Sequence, residues 1–221
     1  MMMAQKTHSM RGEYRKLNSS HIFVHVAKNG GGSVFEYLHD CPNVIVPFGA
    51  HKISVAMVLA VNRSAIVALR DPADRVISEY QWSALDLGKD YDDHVRRSHI
   101  RAHDTVAPGT RWNLSHLGTL LSHARANLKP QVEKLGGARL EDPRVNVLCT
   151  ERLTAGLEHL SRKLCAHRNS SMRAVPWLHR TQATGEGLHY NMTKELRQAL
   201  LRAYAQDSEL HQRFCAGISN A

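Results

Sequence analysis

A lysine followed by three glycines, between two regular elements, is the stretch of the sequence best suited to chemistry. Residues 21–27 alternate and are rich in apolar, β-branched types, which predicts a buried strand. Lys28 follows, and the glycines at 30–32 have no Cβ, so their backbone N–H groups can approach a ligand. Ser33 and Glu36 have the spacing of a capping box, which predicts a helix directly after the glycines. A helix N-terminus beside a lysine attracts anions, so this segment predicts a site for phosphate or a similar oxyanion. The alternative is a turn that only needs flexible residues.

The order of these residues separates the segment from the common nucleotide-binding loops. In a P-loop the lysine follows the last glycine, whereas Lys28 precedes all three. The glycine spacing does not fit GxGxxG either. A nucleotide kinase or NTPase would also need an aspartate at a strand end to hold magnesium, and none is evident at the predicted strand ends.

A second cation follows another predicted strand. Arg70 comes directly after the apolar run 65–69, at the end of the strand where parallel α/β folds bind ligands. Ser78 lies about two turns into the helix that follows. The planar guanidinium group of an arginine can take two phosphate oxygens. The alternative is that Arg70 pairs with Asp74 while Ser78 faces solvent.

The elements that must position these residues alternate along the chain. Strands are predicted at 21–27, 43–48, 65–69 and 144–150. Helices are predicted after the glycines and at 53–61, 71–87, 94–99, 114–127, 131–135, 153–165 and 193–204, the last continuing to about 214. Asp71 is the predicted N-cap of its helix, with Pro72 at the first helical position. This alternation predicts a right-handed parallel α/β sheet flanked by helices.

The glycine segment resembles the 5′-phosphosulfate loop of sulfotransferases that use 3′-phosphoadenosine 5′-phosphosulfate (PAPS). The carbohydrate branch of that family has FVHIPKTGGTS, and this chain has FVHVAKNGGGS. The matching residues are Phe23, Val24, His25, Lys28, Gly30, Gly31 and Ser33. Ala27, Asn29 and Gly32 replace a proline and two threonines, so one side-chain phosphate contact of the family is missing.

Two further stretches extend the resemblance to roughly residues 20–215. LRDPADRVISEYQW is similar to the family's 3′-phosphate motif LRDPVERVLSHYRY, and it places Arg70 and Ser78 at the two positions that grip the 3′-phosphate. VLCTERLTAGLEHLSRKL and the closing YNMTKELRQALLRAYAQDSELHQRF resemble the late strand and helices of Golgi glycan sulfotransferases. Arg180 lies where some members have a basic loop over the nucleotide.

The resemblance implies a P-loop-NTPase-like three-layer fold and transfer of a sulfuryl group from PAPS to an acceptor hydroxyl of a carbohydrate. The sequence itself, which has no internal repeat, predicts one domain at 20–215, after a poorly ordered lead-in at 1–19 and before a tail at 216–221. No metal is implied. The implied cofactor-binding residues are Lys28, Asn29, Gly30, Gly31, Gly32, Ser33, Val34, Arg70, Ser78 and Arg180. A catalytically impaired PAPS- or PAP-binding relative and a P-loop nucleotide kinase are the alternatives.

Two catalytic roles follow from the resemblance. Lys28 would neutralise the charge that develops on the departing oxygen. His51, directly after the second predicted strand, would accept the proton of the acceptor hydroxyl, and the pKa of a histidine suits proton removal near neutrality. His116 and Glu79 are the reserve candidates for this base. His25 lies inside the first predicted strand and is expected to be a packed residue.

Bulk composition agrees with one globular domain that binds acidic partners. The chain has 221 residues, a net charge of +9 and 43% hydrophobic residues. A nucleic-acid-binding module would interleave aromatic residues with basic ones, whereas only 6% of residues are aromatic and the basic residues are dispersed. Composition therefore argues against nucleic acid, and the resemblance implies a glycan or glycoconjugate acceptor.

Cysteines and sequons bear on the compartment. The four cysteines show no CxxC spacing; a disulfide is allowed but not assigned, and Cys149 is expected to be a core thiol. Five of the ten asparagines fit N-x-[ST], which indicates a lumenal history. The resemblance implies the Golgi lumen, behind a membrane anchor. No apolar stretch could span a bilayer and the start lacks a signal-like apolar region, so a soluble cytoplasmic protein is the alternative.

Overall fold

The structure is a computed structural model of the chain. It describes residues 19–47, 52–86, 111–165 and 191–216. The helix predicted at 94–99 and most of the lead-in lie outside the described residues. No helix within the described ranges is long and apolar enough to cross a membrane.

A four-stranded, all-parallel sheet forms the centre, as the sequence predicts. Its strands are β1 (His21–Val24), β2 (Val44–Ile45), β3 (Ser64–Leu69) and β4 (Val145–Cys149). Their order across the sheet is β2-β1-β3-β4. Leu69 pairs with Cys149, so β3 and β4 end level, whereas Val24 pairs with Val67, so β3 extends two residues beyond the end of β1.

Seven α-helices are described around this sheet. They are α1 (Gly31–Leu38), α2 (Val55–Ala60), α3 (Pro72–Asp86), α4 (Leu117–Asn127), α5 (Leu153–Leu164), α6 (Lys194–Ala203) and α7 (Ala205–Cys215). The segment Gln131–Leu135 is a 3₁₀ helix, and the left-handed Gly136 ends it. The predicted strands and helices are therefore present within the described ranges; β1, β2 and β4 are shorter than predicted, and β3 begins one residue earlier.

The sheet is covered on both faces, which explains the continuous apolar run of β3. Ile66 and Ala68 pack in one cluster with α1 and α5. Ala65, Val67 and Leu69 pack in a second cluster with α2 and α7. All five side chains are fully buried. The chain is thus an α/β protein with helices on both faces of a parallel sheet.

A third cluster joins the helices that follow β3. Tyr80 of α3 meets Trp112 edge to face, with ring centroids 5.6 Å apart. Leu120 of α4 and Leu196 and Leu200 of α6 complete its centre, and all three are fully buried. This cluster fixes the direction of α3, whose first turn carries the residues after Arg70.

The cysteines form two disulfides, Cys41–Cys165 and Cys149–Cys215. The prediction that Cys149 is a core thiol is therefore wrong. Its apolar surroundings are real, but the partner cysteine lies 66 positions away on α7, and an apolar run does not reveal such a partner. The second disulfide ties the last helix to the end of β4.

Candidate functional site

The sheet order creates a crevice between two strand ends. The chain leaves β1 for β2 on one side, and it leaves β3 for β4 on the other. In parallel α/β sheets, ligands bind at the carboxyl ends of two strands whose connections diverge in this way. Lys28 follows β1 and Arg70 follows β3. The Arg70 guanidinium donates to the Lys28 carbonyl at 3.0 Å, so the two loops that carry these cations are in contact at this edge.

The loop after β1 has a backbone suited to anions. Lys28 and Gly30 are both left-handed, with φ of 64° and 72°. A non-glycine residue rarely adopts this conformation, which is a feature of functional sites. Left-handed residues within a turn let successive N–H groups converge on an anion. Two arginine side chains hydrogen-bond to carbonyls of this loop. Arg75 donates to the Ala27 carbonyl and Arg70 to the Lys28 carbonyl, each at 3.0 Å.

Helix α1 starts earlier than predicted. Gly30 is the N-cap and Gly31 the first helical residue, so Ser33 lies inside the first turn and is buried. The predicted capping box of Ser33 and Glu36 is therefore wrong, since no side chain caps this helix. The left-handed Gly30 turns the chain into the helix by itself. The first intrahelical bond runs from the Val34 N–H to the Gly30 carbonyl at 3.0 Å. The amides of residues 31–33 precede it, at the positive end of the helix.

Close packing makes two of the glycines necessary. A Cβ on Gly30 would lie 2.7 Å from the Leu153 side chain, at the start of α5. A Cβ on Gly31 would lie 2.4 Å from the imidazole of His25. His25 follows the end of β1 instead of lying inside it, and it packs against the glycine turn. The third glycine, Gly32, is exposed.

Asn29 holds the loop from within. Its side chain is fully buried, and Nδ2 donates to the Ala68 carbonyl at 2.7 Å and to Gln131 Oε1 at 2.5 Å. Gln131 in turn accepts from the Arg70 N–H at 3.0 Å and donates to the Arg70 carbonyl at 2.9 Å. The side chain of Asn29 thus faces the interior and not the crevice. Gln131 was not singled out from the sequence, because no local pattern marks it.

A buried ion pair lies beneath these contacts. Asp207 of α7 accepts from the backbone N–H groups of Gln131 and Val132, at 2.8 and 3.0 Å. Its carboxylate lies 3.6 Å from the guanidinium of Arg75, and both side chains are almost fully buried. Burial lowers the pKa of Arg75, and the charge of Asp207 opposes that effect. The last helix therefore supports the loop after β1 through Arg75.

Helix α3 supplies the acidic neighbour of Lys28. Glu79 lies 3.7 Å from the Lys28 ammonium group, and its side chain is 8% exposed. The adjacent Ser78 is 7% exposed, so it does not face solvent. Asp74 pairs with Arg197 at 3.5 Å.

A second acidic group fixes the start of α3. Asp71 caps the helix as predicted, accepting from the N–H groups of Ala73 and Asp74. Its own N–H donates to Glu151, which also bonds His211 at 3.1 Å. Burial raises the pKa of Glu151, but the hydrogen bond and charge of His211 outweigh it and bring that pKa to about 2. Glu151 is thus a carboxylate at neutral pH and holds the peptide that follows Arg70.

One group of side chains has the composition of a metal site. Glu151, His211 and Cys215 place ligand atoms within 4.8 Å of one another. The sulfur of Cys215 is bonded to Cys149, however, and a thiolate is what binds metal. His211 and Glu151 already bond each other, so the group acts as a tether in this state.

Four predicted site residues remain. His51 and Arg180 are outside the described residues. His116 is in the 3₁₀ turn before α4, where its ring bonds Asn113. The Val34 side chain is in the core beneath α1, so it contributes packing at this site.

Comparisons of the chain with protein-family models, curated proteins and solved structures found no match.

We expect Gly30→Ala to destabilise the protein by about 2 to 4 kcal/mol. The change adds left-handed strain to a clash with the buried Leu153 side chain. Gly137→Ala is the matched control, because Gly137 has a φ of 84° and open space around its Cβ position. In this control the free energy of unfolding should fall only by the strain of the left-handed backbone, about 1 to 2 kcal/mol. Urea unfolding measures both. Equal losses would contradict the packing described here.

Proposed function

We propose that this protein is a PAPS-dependent sulfotransferase with a P-loop-NTPase-like fold that transfers a sulfuryl group to a carbohydrate hydroxyl. The observation that supports this most is the 3.0 Å bond from the Arg70 guanidinium to the Lys28 carbonyl. It joins the two cation-bearing corners that resemble the two phosphate motifs of the family. A donor with phosphates at both ends could then bind across these corners.

The donor would be held at two corners of the sheet. The amides of residues 31–33, at the start of α1, would bind the 5′-phosphosulfate. Arg70 and Ser78 would bind the 3′-phosphate, with the arginine supplying charge-assisted bonds. Because two arginine side chains already hold carbonyls of this loop, the loop would be ordered before the donor binds.

The reaction would be an in-line displacement at sulfur. The acceptor oxygen bonds to sulfur, the bond between sulfur and the bridging phosphate oxygen breaks, and adenosine 3′,5′-bisphosphate (PAP) leaves. Lys28 would stabilise the negative charge on that bridging oxygen, as cations do in phosphoryl transfer. Glu79, 3.7 Å from the ammonium group, would hold Lys28 in place. His51 is the proposed base that takes the acceptor's proton.

We also propose that the protein works in the Golgi lumen. Its two disulfides are typical of proteins that mature in an oxidising compartment. The three described sequon asparagines, Asn62, Asn113 and Asn191, are all exposed and lie outside the α-helices. Exposed loop positions are where N-glycans are attached.

The wild-type protein should bind PAP more tightly than adenosine 5′-monophosphate (AMP), and it should transfer labelled sulfate from PAPS to members of a glycan panel. Arg70→Ala should lower PAP affinity about 10- to 100-fold, toward that for AMP, because a charged hydrogen bond contributes about 1.5 to 3 kcal/mol. Lys28→Ala should lower the transfer rate about 10²- to 10³-fold. Titration calorimetry and the sulfate assay measure these effects.

Matched controls are available at the opposite edge of the sheet. Arg162 and Lys163 are exposed near the end of α5, which runs back from the carboxyl edge. Their alanine variants should leave binding and transfer unchanged. PAP binding without transfer would favour a catalytically impaired relative, and no preference of the wild type for PAP over AMP would overturn the proposal.

Expression through a secretory pathway tests the compartment. The purified protein should lose mass when treated with an N-glycosidase, and each Asn→Gln change at Asn62, Asn113 or Asn191 should remove one glycan. Asn43 is the control, because it is not followed by Ser or Thr at the second position. An untreated mass equal to that of the bare chain would count against a lumenal protein.

A further inference from the structure

We propose that Gln131 is a positioning residue that sets the selectivity of the crevice for a 3′-phosphate. It lies in the segment between α4 and β4, far in sequence from both phosphate motifs. Gln131 would not contact the donor itself. Its side chain holds the backbone N–H and carbonyl of Arg70 in place. This inference rests on the proposed function, since the 3′-phosphate is the group that Arg70 would bind.

Gln131 joins both sides of the site through one amide. The residue is 1% exposed. Its Nε2 donates to the Arg70 carbonyl at 2.9 Å, and its Oε1 accepts from the Arg70 N–H at 3.0 Å. The same Oε1 accepts from the Asn29 amide at 2.5 Å. One side chain therefore ties the residue after β3 to the loop after β1.

These contacts suit a primary amide of this length. A primary amide offers a donor and an acceptor side by side at any pH, as the two backbone groups of Arg70 demand. A glutamate would keep both bonds when it is protonated, which burial favours, so it does not remove the contacts. A methionine would fill similar space and supply neither bond.

The bonds matter because Arg70 lies beyond the end of the sheet. β3 ends at Leu69, so the strand ladder no longer fixes the next peptide. Gln131 replaces the ladder there by bonding both backbone groups of Arg70. An arginine whose backbone is fixed loses less freedom when it binds phosphate, and preorganisation of this kind raises affinity.

Gln131 is itself anchored by the last helix. Asp207 accepts from the Gln131 N–H at 2.8 Å and from the Val132 N–H at 3.0 Å, which holds the start of the 3₁₀ turn. Asp207 also lies 3.6 Å from the buried Arg75 guanidinium. The glutamine therefore projects from a rigid base and not from a free loop.

The backbone of Arg70 depends on Gln131 more than the loop after β1 does. Asn29 keeps a second bond to the Ala68 carbonyl at 2.7 Å, and Arg75 still holds the Ala27 carbonyl. In a Gln131→Met variant, the backbone N–H and the carbonyl of Arg70 both lose their hydrogen bond to the side chain at position 131. The effect should therefore fall on the 3′-phosphate more than on the 5′-phosphate.

The test is the ratio of Kd for AMP to Kd for PAP, measured by titration calorimetry. In Gln131→Met and Gln131→Leu this ratio should fall about tenfold, while the Kd for AMP changes less than about threefold. A general loss of stability would weaken both ligands alike and leave the ratio intact. Gln212→Met, which changes an exposed glutamine of α7, is the control and should keep the wild-type ratio.

Two outcomes are distinguishable. A wild type that prefers PAP, together with Gln131 variants that are folded and keep the full ratio, would overturn the role of Gln131 and leave the proposed function standing. A wild type with no preference for PAP would overturn both. If neither variant folds, Gln131→Asn, which is one methylene shorter, serves for the same ratio, and an unchanged ratio there would likewise refute the role.

Discussion

The left-handed turn at Lys28 is the constraint on which the site depends. A residue with a side chain is costly to hold in this conformation, and here the surroundings determine it. Arg75 and Arg70 take the carbonyls on either side of the turn, and Asn29 anchors the next residue inward. With its carbonyls held by these two arginines, the turn leads directly into the amides at the start of α1. The position of Lys28 and the early start of that helix are consequences of the same turn.

The supporting contacts are buried and come from distant parts of the chain. Arg75 and Asp207 form an ion pair with almost no solvent contact, and such a pair stabilises a fold little compared with apolar residues of equal size. Their arrangement is better explained by geometry: the arginine holds the loop after β1, and the aspartate holds the turn that carries Gln131. The Cys149–Cys215 disulfide ties the helix of Asp207 to β4. The last helix is thus part of the frame of the site.

Much of the fold could be predicted from local sequence, because the responsible interactions are local. The apolar run of β3, the Asp71-Pro72 helix start and the leucine face of α5 each follow from a few neighbouring residues. The capping box at Ser33 failed because a left-handed Gly30 starts the helix without a side chain. Thr193 caps α6 by accepting from the Leu196 N–H, which is again a local contact.

The site could be predicted only in part. The two cations and the glycines have local motifs, and the sheet order explains why the loops that carry them meet. Gln131, Asp207 and both disulfide pairings depend on contacts between residues 61 or more positions apart, for which a single sequence carries no pattern. Asn29 is intermediate: the sequence places it in the loop, but only the fold shows that its side chain points inward.

The central claim is that Lys28 and Arg70 serve one crevice that holds a doubly phosphorylated adenosine. A crystal structure of the protein with PAP tests it most directly. The account predicts the 5′-phosphate on the amides of residues 31–33 beside Lys28, and the 3′-phosphate on Arg70 and Ser78. A nucleotide bound away from the ends of β1 and β3, or with only one phosphate near these residues, would contradict it.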